Sequence, residues 1–310
     1  MSADAPTPSP FVVARATVVA VERVSPTFAR ITFGGGDLDD FGTPGAVLDQ
    51  RIKLIFPSPG RPLPAIPDGD WYPAWLAVPE DERGSMRTYS IRSLDVDHGH
   101  TTVVIDFVLH LEPGLTGPAA TWASQASVGE ELLVIGPRRG REGGGGIEYA
   151  PGDARDILLA GDETAAPAIA RILEDAPRSL TGHVFLEVPQ ADDILPIAAP
   201  SGVTVRWLPR SGLSHGELLI PAVLAHLGDI VDTIEIEDAD TENPLWETPE
   251  YSELGESLDL GTPHGDRYFW IAGESGVVTT LRRHLVKDLG IDRTQVAFMG
   301  YWRKGVAMRG

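Results

Sequence analysis

The pattern of apolar residues changes period once along this chain, at a run of four glycines, Gly143-Gly144-Gly145-Gly146. Before it, segments 12–21, 28–33, 52–56, 86–92, 101–109 and 131–135 are rich in β-branched and aromatic residues and are separated by Gly, Pro and Asp. That spacing predicts about six short strands with little helix among them. Such a sheet hides its edges most simply by closing into a barrel. After the glycines, apolar runs at 157–160, 184–188, 203–208, 268–272 and 296–301 alternate with helical patterns at 165–173, 218–227 and 277–289. Strand alternating with helix predicts a parallel sheet wound with helices. The expected organisation is an antiparallel Greek-key β-barrel over 1–150 and an α/β nucleotide-type domain over 151–310. The acidic stretch 235–265 shows no period and is expected to be a loop-rich insertion. The stretch 57–83, rich in Pro and carrying Trp71, Tyr72 and Trp75, reads as a surface excursion whose aromatics pack on the barrel.

Composition removes several kinds of chemistry. With no cysteine among 310 residues, thiolate metal sites, cysteine-ligated iron–sulfur clusters and thiol nucleophiles are excluded. The eight histidines show no HxxxH or HExxH spacing, so no metal site is expected, and His98-Gly99-His100 reads as a solvated turn. A net charge of −20 disfavours nucleic acid and anionic membrane as partners. The first ten residues, rich in Pro and Ser, read as a loose tail without a leader, and the apolar run 218–227 is too short to span a bilayer. A cytoplasmic protein is expected.

Arg87-Thr88-Tyr89-Ser90, on the expected strand 86–92, combines a guanidinium, a flat aromatic ring and a hydroxyl. These groups suit a flavin dinucleotide, which presents a diphosphate, a planar ring and a reactive ring nitrogen. Gly117-Pro118-Ala119 opens a short helix whose first amides could meet a phosphate, with Pro where its missing donor does no harm. Gly161-Asp162-Glu163-Thr164-Ala165 and Gly273-Glu274-Ser275-Gly276 each lie between a strand and a helix, where open α/β sheets bind ligands, although GxGxxG is absent. The first of these also reads as a simple turn capped by Thr164.

With these blocks in order, the chain resembles the siderophore-interacting proteins, the flavin-dependent ferric-siderophore reductases of the ferredoxin–NADP reductase-like superfamily. The likeness runs from Asp49-Gln50-Arg51-Ile52-Lys53-Leu54 through Met86-Arg87-Thr88-Tyr89-Ser90-Ile91-Arg92, Asp106-Phe107-Val108-Leu109-His110 and Gly117-Pro118-Ala119-Ala120-Thr121-Trp122-Ala123. It continues through the two strand-to-helix turns to Phe298-Met299-Gly300-Tyr301-Trp302-Arg303.

The resemblance implies a barrel that binds FAD and a second domain that binds NADH or NADPH. The FAD contacts it implies are Arg87, Thr88, Tyr89, Ser90, Arg92, Asp106, Val108, His110, Gly117, Ala119, Ala120 and Trp122. Trp122 could cover the adenine or pack on the barrel, and His110 could be an ordinary strand histidine. The chain departs from the family by inserting Leu111-Glu112-Pro113-Gly114-Leu115-Thr116 before the Gly-Pro-Ala turn, which leaves the adenine contacts open. In the second domain the implied set is Gly161, Asp162, Thr164, Ala165, Glu187, Gly273 and Glu274, with Glu187 placed to accept from a ribose hydroxyl and favour NADH. Tyr89, Ser90 and Trp302 would act at the flavin ring, Ser90 on its nitrogen and Trp302 over its face. Lys53, Arg138, Arg303 and Lys304 would form a basic mouth for an anionic ferric chelate.

The expected reaction passes hydride from a nicotinamide to FAD and single electrons to the ferric siderophore, on a monomer. The alternatives are a flavin reductase or diaphorase with another acceptor, a flavoprotein fed by ferredoxin, and a siderophore-binding protein without turnover.

Overall fold

The computed structural model describes residues 8–43, 45–111, 116–228, 236, 245–248, 251–252 and 266–305. They fall into two compact units, one built on Phe28–Ile147 with the preceding strand, the other from Glu148 onward with Val24–Thr27.

In the first unit, strands β1 (Phe11–Arg23), β2 (Phe28–Gly34), β3 (Arg51–Phe56), β4 (Ser85–Ser90), β5 (Ser93–Asp97), β6 (His100–Val108) and β7 (Glu131–Pro137) form one antiparallel sheet, in the order β4-β3-β7-β1-β2-β6-β5. Period-2 alternation drives it: Val12, Ala14, Ala16 and Val18 are buried while Arg15 between them is exposed. The sheet is a half-barrel. Its two end strands, β4 and β5, are joined by Ile91 and Arg92 alone, so the expected strand 86–92 stops at Ser90. Ile91 N donates to Gln50 O and Arg92 N to Val104 O, which turns the chain from one end of the sheet to the other.

Strand β5 is an addition to the sequence reading. It pairs with β6 through a two-residue turn, His98-Gly99, both with positive φ (49° and 89°), as tight hairpins require. The flanking histidine side chains are solvated, as the turn reading expects. The excursion 57–83 holds a short helix, α1 (Trp71–Ala77), that periodicity did not reveal. Trp75 is buried there in a small cluster with Ile55, Met86, Leu133 and Ile135, and its Nε1 donates to Arg83 O at 2.9 Å. The helix α2 (Pro118–Gln125) packs Ala119 and Ala123 into the main core.

The second unit contains β8 (Asp156–Gly161), α3 (Ala166–Asp175), β9 (Thr181–Val188), β10 (Gly202–Pro209), α4 (Leu219–His226), β11 (Trp246–Thr248), β12 (Tyr251–Ser252), β13 (Arg267–Glu274), α5 (Ser275–Arg282) and β14 (Val296–Trp302). The sheet order is β10-β9-β8-β13-β14-β11-β12, parallel from β10 to β14 and antiparallel beyond. The expected insertion 235–265 is therefore corrected in part: β11 and β12 extend the sheet, pairing first with β14, while most of the stretch lies outside the described residues. The expected helix 277–289 starts earlier, at Ser275, and leaves α geometry at Arg283, where a wider π turn runs to Asp288. Among the described residues no helix is long and apolar enough to cross a membrane.

Candidate functional site

Antiparallel pairing sets opposite residues on one face. Tyr89 faces Ile52 and Arg87 faces Leu54, while Thr88 faces Lys53 and Ser90 faces Arg51. Ile52 and Leu54 belong to the main core, so Arg87 and Tyr89 share the inner face of the sheet and Thr88 and Ser90 the outer. Tyr89 packs on Phe107, with ring centroids 4.6 Å apart, and edge-on to Phe56. Burial pushes its phenol up, against the opposing pull of Arg87, so the hydroxyl stays protonated.

Arg87 is half-buried, and its Nη1 donates to Met86 O at 2.6 Å. It makes no ion pair among the described residues, and burial lowers its pKa, with only Tyr89 acting to raise it. Lys53 is similar: Nζ donates to Thr88 Oγ1 at 2.7 Å, and burial followed by the like charge of Arg51 lowers its pKa. In a chain of net charge −20, two desolvated cations that meet no carboxylate among the described residues are a conspicuous pair.

Next to them, Gly117 stands at the N-cap of α2 without a side-chain cap, with Pro118 at the first helical position. Small residues, Ala119 and Ala120, make up the rest of that first turn. Trp122 packs on the core, stacked on Phe33 at 6.2 Å and meeting Phe56 at 5.3 Å and Phe107 at 6.0 Å. Asp106, expected by resemblance to line the nucleotide, is engaged within its own sheet. Its buried carboxylate takes Arg30 in a two-pronged pair (2.7 and 2.8 Å), with Arg92 3.8 Å away, so it holds arginines in place. Val108 lies on the same face of β6 as Asp106, and His110 beyond the strand end. Four residues of the inserted stretch, 112–115, lie outside the described residues.

Arg138 is also corrected. Its guanidinium donates to Asp40 at 2.8 Å, to Asp68 and to Ser9 O, and its side chain is 13% exposed, so it ties loops to β7 and is not a free mouth cation. Its guanidinium, donating to Ser9 O, and its backbone N–H, donating to Pro10 O, tie down the end of the expected loose tail.

At the C-terminal edge of the second sheet, the strand ends present Asp162, Glu163, Glu187, Arg210, Glu274 and Trp302. Asp162 Oδ1 accepts from Thr164 N at 2.9 Å and Thr164 Oγ1 at 2.5 Å, and Oδ2 from Glu274 N at 2.7 Å and Trp302 Nε1 at 2.9 Å. Thr164 thus bonds back to Asp162 instead of capping α3. Gly273, at φ +144°, is required here, since a Cβ would stand 2.7 Å from Asp162 Oδ2. Burial, then the charge of Glu163, raise the Asp162 carboxyl, opposed by His215, Thr164 and Trp302. Glu274 caps α5 through Val277 N at 3.1 Å and accepts from Lys304 N at 3.3 Å.

Glu187 is the clearest correction. Its buried carboxylate accepts from Gly216 N at 2.8 Å and from Leu218 N and Leu219 N at 3.1 Å, at the start of α4. Buried and turned to those amides, the carboxylate is not presented to a ribose, and the preference for NADH loses its basis. Burial raises its carboxyl against these hydrogen bonds and the charge of Arg210.

Two residues of this edge escaped sequence reasoning. Arg210 holds buried Glu163 with two bonds, 2.8 and 3.0 Å, and lies 3.5 Å from Glu187. His215 Nε2 lies 3.1 Å from Glu163 Oε1, and its ring meets Trp302 at 4.8 Å, nearly perpendicular. Their one signal was position, just after the strand 203–208.

Family comparison matches residues 17–141 to the siderophore-interacting FAD-binding domain and residues 154–305 to the siderophore-interacting protein domain. An uncharacterized protein of Mycobacterium tuberculosis is 32% identical over 93% of this chain and 89% of its own. The chain belongs to the siderophore-interacting protein family. Within that family, the ferric vibriobactin reductase ViuB of Vibrio cholerae is 29% identical over 91% of this chain and 86% of its own. The NADPH-dependent ferric-chelate reductase of Escherichia coli is 28% identical over 92% and 91%. Among solved structures, a siderophore utilization protein from T. fusca superposes with a TM-score of 0.69 at 29% identity, covering 97% of this chain and 96% of that one. The half-barrel and parallel-sheet pair is thus the family's architecture, and the resemblance read from the motifs holds.

Proposed function

We infer that this siderophore-interacting protein is a flavin-dependent reductase that takes hydride from a nicotinamide and reduces the iron of a ferric siderophore. The observation that carries this reading is Arg87, a half-buried guanidinium beside the Tyr89 ring with no ion pair among the described residues. A buried cation without an anion is costly unless a ligand supplies one, and a dinucleotide diphosphate does. The first turn of α2, lined by small residues, suits the same group, so the residues present fit FAD. Bound there, FAD supplies an acceptor for one hydride and a source of single electrons.

The chain's own residues then have defined tasks. Arg87 and the first amides of α2 hold the diphosphate. Tyr89 provides a ring wall, and its protonated hydroxyl donates a hydrogen bond without adding charge. Ser90, at the end of the same strand, serves the ring nitrogen, and in the second unit Trp302 stands at the sheet edge that receives the nicotinamide nucleotide. In the first unit Lys53, with Thr88, is the cation offered to an anionic chelate, and in the second the exposed Lys304 and its neighbour Arg303 are cations of the same kind. Hard oxygen donors hold ferric iron far better than ferrous, so reduction alone releases the metal.

The relatives' names support a ferric chelate as substrate and NADPH as a competent donor, and with Glu187 committed to α4 nothing at that position opposes the extra phosphate. We place the activity in the cytoplasm, where the reduced nucleotide is available, with ferredoxin as the alternative donor. The test is anaerobic. Flavin-loaded protein should bleach with NADPH or NADH and recolour when a ferric siderophore is added with a ferrous trap. Protein that takes up no flavin, or bleached protein that leaves every ferric chelate untouched, would overturn the reading.

A further inference from the structure

We propose that His215 and Asp162 are positioning residues for Trp302, holding its indole in one orientation at the sheet edge where the nicotinamide nucleotide arrives. The proposal rests on the reading that this edge receives the nucleotide and that Trp302 meets it there.

The two contacts restrain the indole in complementary ways. Asp162 Oδ2 accepts from Nε1 at 2.9 Å, which fixes the ring within its own plane. The imidazole of His215 meets it at 4.8 Å and 77°, which restrains rotation out of that plane.

Each holder is itself held by buried groups. Asp162 is fixed by Thr164 and by Glu274 N, with Gly273 leaving the room it needs. His215 is fixed by Glu163, and Glu163 by the two-pronged grip of Arg210. Burying carboxylates in this number is expensive, and a tryptophan that only filled space would need none of them. A further anchor follows Trp302 directly, from Lys304 N to Glu274 Oε1 at 3.3 Å. Side chains placed this tightly are what an approaching planar ligand requires, because a small misplacement near the chemistry is costly.

The two parts of His215 can be separated. His215→Phe keeps a ring against Trp302 and gives up the bond to Glu163, which retains Arg210. His215→Gln keeps a polar group near Glu163 and loses the ring. The experiment uses the full chain, loaded with FAD and labelled with ¹⁵N-tryptophan. It measures exchange of the Trp302 indole proton, the affinity for NADP⁺, and the limiting rate of bleaching by NADPH.

His215→Gln and Asp162→Asn should speed indole exchange and lower the limiting rate by about threefold to tenfold, the size of one aromatic or hydrogen-bond contact, while His215→Phe stays near the parent. In a Trp302→Phe background, His215→Gln should add less than it does alone. If His215→Gln leaves exchange and rate unchanged, or its effect adds in full without Trp302, the positioning role is overturned while the reading of Trp302 stands. If Trp302→Phe and Trp302→Ala leave bleaching and NADP⁺ affinity unchanged, the reading of Trp302 falls, and this proposal with it.

Discussion

On strand β4, Arg87 bonds a backbone carbonyl and meets no carboxylate among the described residues, and on β3 Lys53 bonds a threonine hydroxyl. At the edge of the second sheet, every buried carboxylate described above is met from within: Asp162 by Thr164, Glu274 and Trp302, Glu163 by Arg210 and His215, Glu187 by three amides at the start of α4. The contrast separates two uses of buried charge. A charge satisfied by its own chain shapes a scaffold, and a desolvated charge left without a counter-ion is where a ligand completes the structure. Within the first unit the contrast belongs to Arg87 and Lys53, since its buried Asp106 is met by Arg30, as the carboxylates of the second sheet edge are met from within their unit.

The sharpest way to break this contrast is Arg210→Met. If the second cluster is scaffold, Glu163 is left buried without its main partner, and thermal or denaturant unfolding should show a loss of about 3–5 kcal/mol, with FAD affinity unchanged. Arg87→Ala tests the other side. It should leave flavin-free stability nearly intact but weaken FAD binding by about 1.5–3 kcal/mol, roughly tenfold to a hundredfold, read by flavin titration. Equal unfolding losses in the two variants would erase the distinction.

Glu187→Gln sharpens the comparison within the second unit. A single amide oxygen cannot serve three donors, so a loss of about 1–3 kcal/mol in stability is expected. The ratio of NADH to NADPH bleaching rates should not move, and a shift in that ratio would return Glu187 to the ribose.

The smallest effect concerns Lys53. Its folded pKa lies below the ordinary 10.5, so in the folded state it gives up its proton more readily than when unfolded. It therefore costs stability at neutral pH, and that cost fades as pH rises through the lowered folded value toward 10.5. Lys53→Met should flatten this rise in a pH series of unfolding curves and raise the Michaelis constant for an anionic ferric chelate. An unchanged pH profile would mean that Lys53 is solvated.

Much of the frame was legible because it is local. Alternation in β1, β2 and β6 and the strand-helix rhythm after Gly146 are properties of ten-residue windows, and Arg87 and Tyr89 fall on one face by parity alone. What was missed depends on distant partners. Arg138 looks identical in sequence whether it faces solvent or Asp40 and Asp68, which lie 98 and 70 residues away. Glu187 at a strand end serves a ribose or a helix start equally well, and the turn at Gly216, with φ +85°, decides it. Strand β5 escaped because Ser93, Asp95 and Asp97 make it polar, as suits a sheet end, and α1 because it sits in a proline-rich stretch whose composition argues against helix.

The place of β4 at the end of its sheet has a kinetic consequence. With β3 as its one ladder neighbour among the described residues, it can part from the sheet at less cost than a strand paired on both sides. Its amides should exchange with deuterated solvent sooner than those of β1 or β7, and cofactor loading should slow them most. Flavin uptake would then be read in solution as a change in one outer strand, since Tyr89 on that strand packs on Phe107 and its parting would bare that ring.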